Sequence, residues 1–153
     1  YYVLTTAGVL LKFAEASPKS RLVADGVARF AAGRTGVLAI LKSGALWWFS
    51  MDGDKRKIAD RVATAAVGDS ANYYATESGA LFVKGLAHRG QYGDGKLKTT
   101  DRFVQTASNV AAITAHTGHA ILMTKSGDVL GTGGNIYGPV GRHGLGDKAV
   151  RWS

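Results

Sequence analysis

The chain contains no cysteine, only two prolines (Pro18 and Pro139) and no apolar run longer than a few residues. Without cysteine, disulfides and thiol chemistry are excluded. Without a long apolar run there is no candidate membrane-spanning helix and nothing resembling a signal peptide. Stretches of 10–15 residues with helical periodicity are also missing, which argues against helical repeats. What remains is 46% hydrophobic and 20% charged over 153 residues, the balance of a folded chain large enough to build a core. Glycine is abundant, at 21 residues, about twice its usual share. Many glycines with few prolines indicate many tight turns, and hence many short strands. The formal charge is +8, which permits nucleic acid, acidic membranes or acidic proteins as partners and selects none of them.

The chain repeats itself. The segments 27–47, 62–82 and 110–130 align without a gap. Each opens on a valine (Val27, Val62, Val110), reaches Gly33, Gly68 or His116 six residues later, and reaches Gly44, Gly79 or Gly127 after eleven more. A partial copy with Gly8 at the same turn opens the chain. Within each copy the pattern predicts a strand, a short turn, a second strand, a tight hairpin at the glycine and a returning strand. Alanines recur in the first strand and would let neighbouring sheets approach closely. Turn glycines 36, 35 and 48 residues apart suit units of several strands, such as propeller blades. The serines of the three Ser-Gly pairs (Ser43, Ser78, Ser126) lie in no G-x-S-x-G elbow, so they read as turn residues rather than nucleophiles.

Residues 85–147 carry a more specific pattern. His119 follows the turn, and Gly134, Asn135, Tyr137, Gly138 and Gly141 lead into Gly144–Leu145–Gly146–Asp147. Gly90–Gln91–Tyr92–Gly93–Asp94–Gly95 repeats that closing motif one copy earlier. This region resembles the regulator-of-chromosome-condensation repeat, strongly over 62–153 and more weakly over 1–61. The resemblance implies an all-β fold of β-propeller blades, each a four-stranded antiparallel sheet, commonly seven to a ring. The chain is then a single partial propeller over 1–153, with repeats at about 1–26, 27–61, 62–109 and 110–153. Both ends cut a blade, so the incomplete ring is expected to be closed by more chain, a second copy or another partner. The stretch DRFVQTASNVAAI resembles the linker of bacterial members, which implies an exported or surface protein. Departures limit the carry-over: the family histidine becomes Gly36 and Ala71 in two copies, and the family glycine becomes His116 in the last.

No cofactor and no metal is expected. His116 and His119 form an H-x-x-H pair without further ligands at a diagnostic spacing. The glycines of 131–141 lack a phosphate-loop register. Asp52–Gly53–Asp54, followed by Lys55, Arg56 and Lys57, reads as a solvated hairpin tip. No nucleophile–base pair stands out, so the chain is read as non-enzymatic. The expected function is a protein–protein interaction module working through loops on one propeller face. A nucleic-acid or chromatin binder is the alternative, motivated by the charge, and an exchange factor for a small GTPase is the second. The candidate partner-binding residues are Trp47, Trp48, Lys55, Arg56, His88, Arg89, Tyr92, Asn135, Tyr137, Arg142 and His143. Trp47 and Trp48 are neighbours on a strand and point to opposite faces, so one is expected in the core and the other exposed or between blades.

Overall fold

The computed structural model describes residues 1–134 and the strand pair 148–149. The described residues form strands and turns with no helix. The chain divides into two compact units, Tyr1–Val62 and Ala63–Ser153.

The first unit opens with a three-stranded sheet of β1 (Tyr2–Leu4), β2 (Leu10–Phe13) and β3 (Ser20–Ala24). A four-stranded sheet follows, in the order β4 (Val27–Ala32), β5 (Gly36–Leu41), β6 (Leu46–Ser50) and β7 (Lys55–Ala59). All neighbours are antiparallel. Leu10, Val27, Val37 and Ala39 form the buried cluster here, with Tyr2, Leu4, Phe30 and Phe49 packed against it.

The second unit is built the same way. One sheet holds β8 (Val62–Val67), β9 (Ala71–Thr76), β10 (Leu81–Gly85) and β11 (Thr100–Ala107). The other holds β12 (Val110–Ala115), β13 (His119–Thr124), β14 (Val129–Gly134) and β15 (Lys148–Ala149). Tyr73, Ala75, Leu81 and Val83 share one cluster with Val110, Ile113, Ala120 and Leu122 of the following sheet. Complete burial of a leucine or valine side chain contributes about 1.5–3 kcal/mol, which makes this the main source of cohesion.

The repeat has a hydrogen-bonding reason. At the first turn, the N–H groups of Gly33, Gly68 and His116 donate to the carbonyls of Gly36, Ala71 and His119, at 2.9, 2.9 and 3.0 Å. The bond uses backbone alone, so it persists where His116 stands in the place of glycine. At the hairpin turn, Gly8, Gly44, Gly79 and Gly127 all take φ between 85 and 95°, a region where a Cβ is strained. Each of the first three then accepts a bond from a repeat-opening valine: Val27 to Gly8 at 2.8 Å, Val62 to Gly44 at 2.9 Å, Val110 to Gly79 at 3.0 Å. Within each unit the opening valine of a sheet is thereby stapled to the hairpin turn before it, whereas the fixed valine–glycine spacing sets the strand, turn and hairpin inside one copy.

Two expectations are corrected. DRFVQTA is no linker: Thr100–Ala107 is β11, the fourth strand of its sheet. Its Val104 and Ala107 pair with Val83 and Leu81. Lys55–Lys57 likewise belong to strand β7, and only the turn before them forms the tip. In both places charged, solvent-facing residues hide a strand, as is usual on the outer edge of a sheet.

Some apolar residues of the first and last sheets stay open. Leu22 on β3 is 61% exposed and Val129 on β14 is 67% exposed. A shallow apolar hollow of about 270 Å³ lies on the last sheet between Ala112, Ile121, Met123 and Val129.

Candidate functional site

The connection between β10 and β11, residues 86–99, is long, glycine-rich and held firmly. Tyr92 is buried, and its hydroxyl donates to Gly85 O at 2.7 Å and accepts from Thr100 N at 3.1 Å. It thereby joins the last residue of β10 to the first of β11. Tyr73 on β9 donates to Gln91 O at 2.8 Å, and Thr132 on β14 donates to Gly90 O at 2.7 Å. Gln91 is buried as well and accepts from Arg89 N through Oε1 at 2.9 Å. Burial pushes the Tyr73 hydroxyl well above the ordinary phenol range, with Tyr92 adding to the shift. Tyr92 is raised chiefly by burial too, against the lowering effect of its bonds to Thr100 and Gly85. Both therefore remain neutral hydroxyls at physiological pH and act as structural anchors.

Above these anchors the loop presents a mixed surface. Leu86 and Leu97 are 47% and 46% exposed. His88, Arg89, Lys96 and Lys98 are exposed around them. Asp94, the loop's single acid, turns its carboxylate onto Lys96 N at 2.9 Å. The Arg89 stem runs beside Gly118 and Gly134, where added Cβ atoms would stand 3.3 and 3.5 Å from its Cδ. The result is an ordered platform of leucines and cations.

The eleven candidate residues fare differently. His88 and Arg89 sit on this platform. Tyr92 lies beneath it at 2% exposure, which removes it from any contact surface: the closing motif needs its hydroxyl inside. Neither Trp47 nor Trp48 is the core ring expected of one of them, since both are half-buried. Trp47 stacks on Phe49 with centroids 6.5 Å apart. Trp48 covers Gly36, where a Cβ would come within 2.6 Å of Cζ2. Glycine opposite the indole gives it a seat that a side chain would block. Lys55 and Arg56 are exposed on β7, paired with Phe49 and Trp48, and belong to the other unit. Asn135, Tyr137, Arg142 and His143 lie outside the described residues.

Leu86, Lys96, Leu97 and Lys98 were not singled out from sequence. The signal was there in G-L-A-H-R-G and G-K-L-K, where leucines stand among cations between glycines and outside the strand pattern. His116 and His119 lie with ring centroids 5.8 Å apart. Among the described residues no group of three or more histidines, cysteines or acids could hold a metal.

No protein-family model matches the chain, and no curated protein matches it. Solved structures do. Prp20p from Saccharomyces cerevisiae superposes with a TM-score of 0.76 at 14% identity, over 99% of this chain and 47% of that one. Yeast RCC1 (Prp20), in its structure bound to Kap60, gives 0.70 at 18% identity, over 83% of this chain and 34% of that one. Human WBSCR16 gives 0.73 at 15%, over 83% and 38%. This chain thus spans less than half the length of each. Sheets, staples and superpositions agree on one architecture: the described strands have the blade fold of the RCC1-type β-propeller.

Proposed function

We propose that the chain is a non-enzymatic protein-interaction module and that the loop 86–99 is its contact surface. The observation that carries this is the division of labour in the loop. Tyr73 and Thr132 hold its backbone and its own buried Tyr92 ties it to the strand ends, while Leu86, Arg89 and Leu97 face solvent. Such a loop is ordered before it binds, so it loses little conformational entropy on contact. Exposed leucines and cations on one loop suit a partner that shows an apolar patch and carboxylates. Yeast Prp20p, which shares the fold, has binding properties towards Gsp1p and histones, and the same protein is bound by Kap60 in a second structure. Both findings support a binding role and leave this chain's partner unnamed. Among the described residues, none singles out GTPase exchange.

The experiment is a pull-down with the purified chain, followed by mass determination of the complex. A variant combining Leu86→Ala, Arg89→Ala and Leu97→Ala should lose the partner while unfolding at the same temperature. Undiminished capture by that variant would remove the loop from the site. Nucleic acid is the second reading, favoured by the +8 charge. It requires affinity that falls steeply as salt rises, and affinity flat between low and moderate salt excludes it. The open apolar residues of the first and last sheets support a further part of the proposal. In the working protein those faces are covered by additional blades, supplied by more chain or by a second copy. A monodisperse monomer with cooperative unfolding in sedimentation and melting experiments would argue against that part.

A further inference from the structure

The first unit holds a second site, and it carries an inference independent of the interaction loop. A cleft of about 210 Å³ lies between β2, β3 and the β6–β7 hairpin. Three cations line it: Lys12, Arg21 and Lys55. Tyr2, Leu22 and Phe49 supply the apolar wall. Asp52 and Asp54, on the adjoining turn, do not line it.

The placement of the cations is costly. Lys12 and Arg21 are direct cross-strand partners on β2 and β3. Like charges opposite one another destabilise a sheet. Lys12 is half-buried, yet its ammonium contacts only soft groups: the Met51 sulfur at 3.5 Å and the Tyr2 ring at 6.0 Å from its centroid. Tyr2 donates its own hydroxyl to the same sulfur at 3.3 Å. Among the described residues, none of the three cleft cations forms an ion pair with a carboxylate. The Tyr2 phenol also feels the Arg21 charge, which opposes the upward shift caused by burial. Gly53 borders the opening, and a Cβ there would meet only the Arg21 guanidinium, at 4.0 Å. The mouth is therefore clear.

We propose that this cleft binds a phosphomonoester, with the dianion held by Lys12, Arg21 and Lys55 and a short apolar or aromatic stem laid along Tyr2, Leu22 and Phe49. Arginine and lysine together supply a planar fork and point charges for phosphate oxygens. The volume falls below the ~300–1,000 Å³ of a drug-sized pocket, which fits a head group rather than a large ligand. A bound dianion turns the Lys12–Arg21 repulsion into a shared attraction, so the ligand supplies the missing countercharge.

The test is calorimetric titration of the full chain at low salt with phenyl phosphate, and in parallel with a phosphotyrosyl peptide. Inorganic phosphate and phenol serve as partial ligands. Saturable binding of phenyl phosphate, tighter than either partial ligand, supports the site. A peptide that binds tighter still places the ester on a partner's side chain, whereas binding of the free ester alone places it on a small molecule. Lys12→Gln and Arg21→Gln should each weaken binding on the order of tenfold, the loss of one charge-assisted contact. The same variants should melt at or above the wild-type temperature without ligand, because they relieve like-charge repulsion. This melting readout shows that they fold. Absence of saturable binding, inorganic phosphate equal to phenyl phosphate, or full affinity in both variants would overturn the proposal.

Discussion

Two connections occupy the same place in the repeat and have opposite characters. Between β6 and β7 the chain turns in residues 51–54, closed by Ser50 N to Asp54 O at 2.8 Å and Asp54 N to Ser50 Oγ at 3.0 Å. Between β10 and β11 it runs through 86–99, held by Tyr73 and Thr132 from the strands and by its own Tyr92, whose hydroxyl reaches back to Gly85 O. The strands on either side are nearly interchangeable. Where the second strand meets the end of the third, each four-stranded sheet pairs one glycine with one larger residue: Gly36 with Ser50, Ala71 with Gly85, His119 with Gly133. A Cβ on any of these glycines would stand 2.3 to 2.4 Å from a backbone oxygen. The sheets thus keep a close backbone approach while letting the glycine change strands. The part that differs from sheet to sheet is the connection after the third strand, and the proposed contact surface lies there.

Removing the anchor should separate the two connections most clearly. Tyr92→Ala takes out a buried ring and its hydrogen bonds to Gly85 and Thr100, and should cost roughly 3–5 kcal/mol in chemical denaturation. Asp52→Ala on the short turn should stay within about 0.5 kcal/mol of wild type. An equal effect at both sites would abolish the distinction. Next in size is the glycine exchange. Gly85→Ser copies the residue that β6 tolerates at this position, yet Ala71 still stands opposite, so a loss of roughly 1–3 kcal/mol is expected. Adding Ala71→Gly should restore part of it, and no recovery would show that the pair is not the unit. Tyr92→Phe keeps the ring and loses the hydroxyl, leaving Gly85 O and Thr100 N short of a partner. About 1–2 kcal/mol should be lost, with faster hydrogen exchange confined to 86–100.

The smallest effect concerns pH. Burial first, and then His116, hold His119 below its ordinary value. A histidine depressed in the fold leaves stability complete above the unfolded value of about 6.5 and diminishes it as pH falls through the folded value. His119→Gln should flatten that acid-side slope, as read from melting temperatures between pH 7 and 5.

Most of the framework was legible because backbone geometry writes it into sequence. Positive φ demands glycine at Gly8, Gly44, Gly79 and Gly127, and the constant valine-to-glycine spacing within 27–44, 62–79 and 110–127 marks the strands and turns between them. The fourth strands were hidden, since β7 and β11 carry Lys55, Arg56, Asp101 and Arg102 rather than an apolar alternation. Their register comes from pairing with β6 and β10, which no local pattern shows. Of the loop proposed as the contact surface, His88 and Arg89 were legible from the glycine-rich motif and are exposed. Tyr92 was misplaced because a tyrosine among glycines looks like a surface residue until its hydroxyl is seen closing β10 onto β11. The half-burial of Trp48 was hidden for a related reason: Gly36 makes room for it, and that vacancy is three-dimensional.

The most direct test places a photo-crosslinking amino acid at position 97 on the loop, or at position 51 on the short turn, in otherwise unchanged chains. The captured partner should crosslink from position 97 and not from position 51. Efficient crosslinking from 51 with none from 97 would contradict the assignment of binding to the anchored loop.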